Sequence, residues 1–399
     1  MERNRVVITG LGVLAANGLD VESFWRTLLA GESGIGPITL FDAHDLPSRI
    51  AGELPGFDPL KLLNSSMKPR RMGRFTQMAL IAAKQAFADA QLDDKLLKTP
   101  RIPIVMGVST SAMDVRELPA RAYSAITGIP HACTSTIAYT YHLDARLLTV
   151  SDGCASSLDA IALAAEIVRG GQADWAVAGG SDGAITRYVF ECMSQARKLS
   201  TRNDDPRRAS RPFDRLRDGG VISEGAGIVI LENLEHALAR GVRPYAEIAG
   251  YGSWADPCDG EEGGGMARAM QLALANAGRR AEDVDHISAH GPGDPHMDAL
   301  ESRMIKQVFG RRAHQIPVTS IKGATGNPMG AGGVLQTIAA ALSLRHGLVP
   351  PTANYEEPDP ECDLDIVSRQ ARRQAIRSVL VNTHGFGRGN SSMLLDRFE

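Results

Sequence analysis

Aromatic residues make up only 5% of this 399-residue sequence. No uninterrupted apolar stretch approaches the roughly 18 residues that a membrane-spanning helix needs. An excess of either charge is missing too: 43 Lys plus Arg against 46 Asp plus Glu leave a net charge of −3. That balance argues against a generally basic nucleic-acid binder and leaves room only for a local basic patch. The 5 cysteines include no Cys-x-x-Cys pair, so no disulfide framework is expected and the thiols are read as free. No paired ligands at helical or knuckle spacing point to a metal. The N-terminus enters a short run, Val6 to Ile8, without the apolar core and cleavage site of a secretory signal. A soluble cytoplasmic protein is the resulting expectation.

Glycine is plentiful, at 41 residues spread along the chain, which implies many tight turns. Short β-branched runs alternate with longer Ala/Leu-rich segments, the pattern of an α/β protein with buried strands. Strands are predicted over Arg5 to Thr9, Ile102 to Met106, Leu147 to Val150, Ala173 to Ala178, Pro317 to Ser320 and Ser378 to Asn382. Helices are predicted over Ser23 to Leu29, Gln77 to Ala90 and Ala155 to Arg169. The opening Val7-Ile8-Thr9-Gly10-Leu11-Gly12 is echoed by Glu247-Ile248-Ala249-Gly250-Tyr251-Gly252, each read as a strand ending in Gly-x-Gly. An internally duplicated fold would leave such an echo. With no flexible linker evident, the chain reads as two fused halves, 1–240 and 241–399.

Four glycine-flanked loops, each at a predicted strand end, carry the candidate chemistry. Cys154 follows Gly153 where a strand turns into a helix, a position expected to expose the sulfur and favour thiolate at the positive helix end. The other four cysteines, Cys133, Cys192, Cys258 and Cys362, are read as buried structural residues. His290 opens His290-Gly291-Pro292-Gly293-Asp294, with His296 and His384 as weaker candidates. The third loop is Ser320 to Pro328, with Lys322 and Asn327, and the fourth is Gly385-Phe386-Gly387-Arg388-Gly389-Asn390. Neither the fourth loop nor Gly10-Leu11-Gly12 completes a P-loop or a dinucleotide fingerprint. Convergence of strand-end loops is how α/β folds build a site.

At these loops the sequence resembles the elongating β-ketoacyl-acyl carrier protein synthases of the thiolase superfamily. The likeness runs from Val7–Gly12 to Gly385–Asn390. It includes Leu199-Ser200-Thr201-Arg202-Asn203-Asp204, Arg211-Pro212-Phe213-Asp214, and Asp218-Gly219 followed by Glu224-Gly225-Ala226-Gly227. The resemblance implies an α/β fold of thiolase-like, duplicated five-layered α-β-α-β-α type, usually a homodimer. It makes Cys154 the nucleophile that takes an acyl chain from a phosphopantetheine thioester. His290 and Lys322 match the family's histidine and lysine, while the amides of Cys154 and Phe386 match the oxyanion hole. Phe386 also matches the gating phenylalanine, flanked by Gly385 and Gly387. Lys68, Arg70, Arg71 and Arg197 match the surface that docks the acyl carrier protein. No cofactor of its own is implied, because 4′-phosphopantetheine arrives on the carrier.

The departures cluster at the same loops. Asn327 stands where the elongating branch has histidine, giving a Cys-His-Asn set like that of the initiating branch. Pro292 and Asp294 replace two threonines of the pantetheine loop, removing a donor and adding a charge. Gln336 replaces a glutamate beyond Lys322, and His384 replaces a phenylalanine before Gly385. Two readings follow: a specialised condensing enzyme of fatty-acid, polyketide or aryl-polyene synthesis, or a chain-length-factor-like partner of a heterodimeric synthase. Retention of Cys154 favours the enzyme.

Overall fold

The computed structural model describes residues 4–64, 67–110, 127–257 and 262–398. Among these, eleven strands form the main sheet: β1 (Val6–Ala15), β2 (Ile102–Gly107), β3 (Ala145–Val150), β4 (Trp175–Gly183), β5 (Glu224–Asn233), β6 (Ala246–Ala255), β7 (His286–Ser288), β8 (Pro317–Thr319), β9 (Asp365–Ile366), β10 (Ser378–His384) and β11 (Gly389–Asp396). Their order across the sheet is β9-β8-β7-β10-β11-β6-β1-β5-β4-β2-β3.

That order repeats itself. In the first half β1 pairs antiparallel with β5, β5 antiparallel with β4, and β4, β2 and β3 continue in parallel. In the second half β6 pairs antiparallel with β11, β11 antiparallel with β10, and β10, β7 and β8 continue in parallel. Within the sheet the halves are joined where Val7 and Ile8 of β1 face Glu247 and Ala246 of β6. The fold is thiolase-like and duplicated.

Five helices complete the layers: α1 (Arg74–Asp89), α2 (Ser156–Arg169), α3 (Gly264–Asn276), α4 (Pro295–Phe309) and α5 (Gly332–His346). The α5 sequence Gly-Gly-Val-Leu-Gln-Thr-Ile-Ala-Ala-Ala-Leu-Ser-Leu has no polar face, and every residue from Gly332 to Leu344 is buried. Even its polar side chains, Gln336, Thr337 and Ser343, are buried, as expected of a helix in the middle of a protein. It packs with Leu158 and Ile161 of α2 against strands of both halves, including Val229 and Val381. On one outer side α1 packs Met78, Ala82 and Ala86 against Ile104, Val177 and Ile228. On the other, α3 and α4 bury Met270, Leu300 and Met304 against Ile287, Val318 and Leu380.

The two Gly-x-Gly echoes prove to be something other than strand ends. Both lie inside long strands, β1 and β6, and each seats a helix. A Cβ on Gly12 would lie 1.9 Å from the Ala82 carbonyl oxygen, and one on Gly10 2.5 Å from that of Ala86. In the second half Gly250 and Gly252 stand in the same relation to Ala273 and Ala269, at 2.2 and 2.4 Å. The periodicity marked these glycines as turns; close backbone approach of α1 and α3 is why they are there.

Candidate active site

Cys154 is delivered by the end of β3. Gly153 takes the left-handed conformation, with φ of +70°, and begins a 3-10 turn over Gly153–Ala155 that runs into α2. Ser156 ties this turn by accepting from the Asp152 N–H at 3.0 Å and donating to the Gly153 carbonyl at 2.6 Å. A side chain on Gly153 would approach the Phe386 carbonyl oxygen at 3.1 Å, so glycine lets the two loops meet.

The second-half loops arrive from parallel strands. After β7, His290 and Gly291 donate their backbone N–H groups to Glu301 of α4, at 2.9 and 2.8 Å. After β8, Ser320 donates to the Gly291 carbonyl at 2.7 Å, locking this loop to the Lys322 loop. Lys322 starts the short helix Lys322–Thr325, and Gly326, with φ of +69°, turns the chain back. Asn327 is then held by its N–H to the Val221 carbonyl at 2.7 Å and by its own carbonyl to the Ser223 N–H at 3.0 Å.

These loops bring Cys154, His290, Lys322, Asn327 and Phe386 together. Asn327 Nδ2 lies 3.9 Å from the Cys154 sulfur, and the Phe386 backbone N–H is also directed at it. Lys322 Nζ donates to the His290 carbonyl, donates to Gln336 Oε1 at 3.1 Å, and lies 3.4 Å from His290 Nδ1. Gln336 Nε2 reaches the carbonyls of Ser288, Ala289 and Asn382 at 3.2, 2.9 and 3.0 Å. The amide therefore stitches the parallel strands together and gives Lys322 a neutral partner.

The expectation of an exposed sulfur is corrected: Cys154 is 2% exposed. Burial pushes its thiol up, opposed by the Lys322 charge, the Asn327 amide and the Phe386 N–H. The helix terminus does not overcome desolvation; nearby donors and a cation are needed. Lys322, 1% exposed, is lowered by burial to about 8 against the pull of Cys154, Glu301 and Asp298. His290 is held well below its ordinary value by burial and by the Lys322 and His384 charges.

A cavity of about 370 Å³ opens above the site. Its lining includes His290, Asn327, His384 and Phe386 together with Lys198, Pro292, Asp294, Gly385, Gly387 and Arg388. Cys154 does not line it; Asn327 and Phe386, which touch the sulfur, do. Phe386 is 53% exposed, and Gly387, with φ of +100°, leaves this loop a conformation open only to glycine. Asp294 adds less charge than the sequence implies. It accepts from the Met297 N–H at 2.9 Å to cap α4, and Lys198 pairs with it at 3.1 Å.

The remaining candidates fall elsewhere. Lys68, Arg70, Arg71 and Arg197 are exposed, and none of the four makes a salt bridge among the described residues. His296 pairs with Glu262 at 2.8 Å near the cavity mouth. Cys133 and Cys362 are buried as expected, but Cys192 is exposed, because it lies on the outward face of the helix Arg187–Gln195. Cys258 lies outside the described residues. Glu301 was not among the candidates; its signal is an acid on the stripe of α4 that also carries Leu300, Met304 and Ile305.

A family model described as the beta-ketoacyl synthase N-terminal domain matches residues 3–237, and its C-terminal counterpart matches 245–356. The chain belongs to the β-ketoacyl synthase family. It is accordingly an acyl-transferring condensing enzyme by kinship. It is 38% identical to 3-oxoacyl-[acyl-carrier-protein] synthase 2 of Coxiella burnetii, over 100% of this chain and 99% of that protein. It is also 38% identical to the tetracenomycin polyketide synthase ketoacyl synthase alpha subunit of Streptomyces glaucescens, over 98% and 97%. Among solved structures, the ishigamide ketosynthase/chain length factor superposes with a TM-score of 0.92 at 33% identity, over 100% of both chains. A type II polyketide ketosynthase in complex with its acyl-carrier protein gives 0.91 at 30%, again over 100% of both.

Proposed function

We propose that this β-ketoacyl synthase performs a decarboxylative condensation of an acyl thioester with malonyl-carrier protein, in fatty-acid or polyketide synthesis. The observation that carries the reading is the Cys154 sulfur, buried under the Asn327 amide and Phe386 N–H with Lys322 close by. In the first half-reaction the Cys154 thiolate attacks the acyl carbonyl, and the carrier's pantetheine thiol leaves. In the second, malonyl thioester loses CO₂, and the resulting carbanion attacks the Cys154 thioester. A carbon–carbon bond forms as the sulfur–acyl bond breaks. The N–H groups of Cys154 and Phe386 act as the oxyanion hole, since donors aimed at a developing oxyanion lower such barriers. His290 and Asn327 hold the malonyl thioester oxygen as it becomes an enolate; Asn327 donates a hydrogen bond but cannot carry a proton as imidazole does. Lys322 biases Cys154 towards thiolate.

The pantetheine arm is supplied by the carrier, and this chain contributes no cofactor. The arm enters past Lys198, Pro292 and Asp294, while Phe386 between its glycines gates access. Purified protein mixed with acyl-carrier protein is expected to gain one acyl group by intact mass, and malonyl-carrier protein to yield a ketoacyl product. Absence of both would overturn the reading and leave a non-catalytic partner subunit in its place.

An acidic carrier would dock on Lys68, Arg70, Arg71 and Arg197, whose charges are exposed. Reversing Arg70 and Arg71 together is expected to raise the Michaelis constant for the carrier about tenfold while leaving turnover similar. An unchanged constant would dismiss this surface. The half-exposed strand β3 at the sheet edge is suited to pairing with a second synthase chain, a copy of itself or a related subunit. A cytoplasmic location belongs to the same reading; among the described residues no helix is long and apolar enough to cross a membrane.

A further inference from the structure

His384 ends β10, is buried, and lines the cavity next to His290. The two rings meet edge to face, with centroids 5.3 Å apart. Both nitrogens of His384 face oxygen acceptors. Nδ1 lies 3.1 Å from Asn390 Oδ1. That amide cannot be turned to offer a donor instead, because its Nδ2 already reaches the Trp254 and Arg388 carbonyls and Asp256 Oδ1, all acceptors. Nε2 lies 3.4 Å from Glu301 Oε1 and has no hydrogen-bond partner of its own among the described residues. A neutral imidazole has one N–H and one lone pair, so either tautomer would point a lone pair at a buried oxygen. The imidazolium presents a donor to Asn390 and a positive charge to Glu301.

Glu301 supplies the opposite charge. Burial pushes its carboxyl up, but the His384 ring and the N–H groups of Gly291 and His290 outweigh burial and hold it below its ordinary range. The other charges around the pair have their own partners. Asp298 lies 3.5 Å from Arg217. Lys322 sits on the His290 carbonyl and Gln336, not on a carboxylate. Asp256 reaches the ring only through Asn390. Gln336 and His384, two departures from the family pattern, thus act together: the amide leaves Lys322 without a carboxylate partner, and the imidazole gives Glu301 a cation.

We propose that His384, present as an imidazolium, is the charge partner of Glu301 and a positioning residue for the His290 loop. Through Glu301 it fixes the backbone of His290 and Gly291, and its charge faces the His290 ring across the cavity floor. The kinetic consequences rest on the condensing function proposed above; the charge pair does not.

Nitrogen-15 NMR of histidine-labelled full-length protein tests the pair directly, with the His384 signals assigned by their loss in His384→Phe. At about pH 7.5 both ring nitrogens are expected to carry protons in the wild type. In Glu301→Gln one of them is expected to lose its proton. A neutral-tautomer pattern in the wild type would overturn the proposal. In kinetics, His384→Gln is expected to lower the malonyl decarboxylation kcat about tenfold or more with KM within about threefold. Adding Glu301→Gln is expected to restore part of that loss, because the unpaired buried carboxylate is gone. Simply additive losses would overturn the coupling. Wild-type protein that neither acylates nor decarboxylates would defeat the condensing function, while NMR would still decide the charge pair.

Discussion

Cys154→Ala is expected to abolish both acyl uptake and ketoacyl formation. Intact mass after incubation with acyl-carrier protein should show an adduct on the wild type and none on the variant. The change removes one buried sulfur from a site bounded by backbone donors, so the fold should survive, and thermal unfolding provides that control. The magnitude follows from the mechanism: without a nucleophile the covalent half-reaction has no substitute, and only background transfer remains. Residual malonyl decarboxylation is expected to persist, because His290, Asn327 and Lys322 are untouched. An acyl adduct of unchanged yield on the alanine variant would move the nucleophile elsewhere; exposed Cys192 would then be the first residue to test.

Asn327→Ala carries the second-largest expected effect, and it falls on one half-reaction. Its Nδ2 faces the Cys154 sulfur at 3.9 Å, and its Oδ1 is buried with no hydrogen-bond partner among the described residues, so the side chain is held for something other than packing. If Nδ2 donates to the enolate oxygen formed as malonyl thioester loses CO₂, its removal should slow decarboxylation by about 10²–10³, the usual cost of losing one oxyanion donor. Acylation of Cys154 should fall by far less, because the Cys154 and Phe386 N–H groups serve that step. Radiolabelled CO₂ release and adduct formation, measured separately, check the split. Equal losses in both would assign Asn327 to holding the sulfur instead of the enolate.

Much of the fold was legible in one dimension. Alternating β-branched and Ala-rich segments announce an α/β chain, whereas the complete burial of α5, Gln336, Thr337 and Ser343 included, follows from its packing against both halves. The repeated Gly-x-Gly foretold duplication, but its meaning was misread. Gly10, Gly12, Gly250 and Gly252 lie within strands, where the carbonyls of α1 and α3 come closer than any Cβ permits. Local sequence cannot distinguish a glycine needed for a turn from one needed by a distant helix. Similarly, the helix start after Cys154 was visible, whereas the burial of its sulfur depends on Asn327 and Phe386, far away in the chain.

The sequence by itself determined which residue types meet: a Cys after Gly at a strand–helix turn, then a His, a Lys and an Asn on later strand-end loops, and a Phe between glycines. Those identities set the available chemistry, because nucleophile, donors and cation are properties of side chains. Tertiary structure decided how the charges balance. Glu301 holds the N–H groups of the His290 loop, His384 comes from the last strand pair, and Asp294 is tied to Lys198. None of these pairings follows from spacing. They arise because parallel strands from one half and the β3–α2 turn from the other end at the same place, in an interior where an unpaired charge is costly.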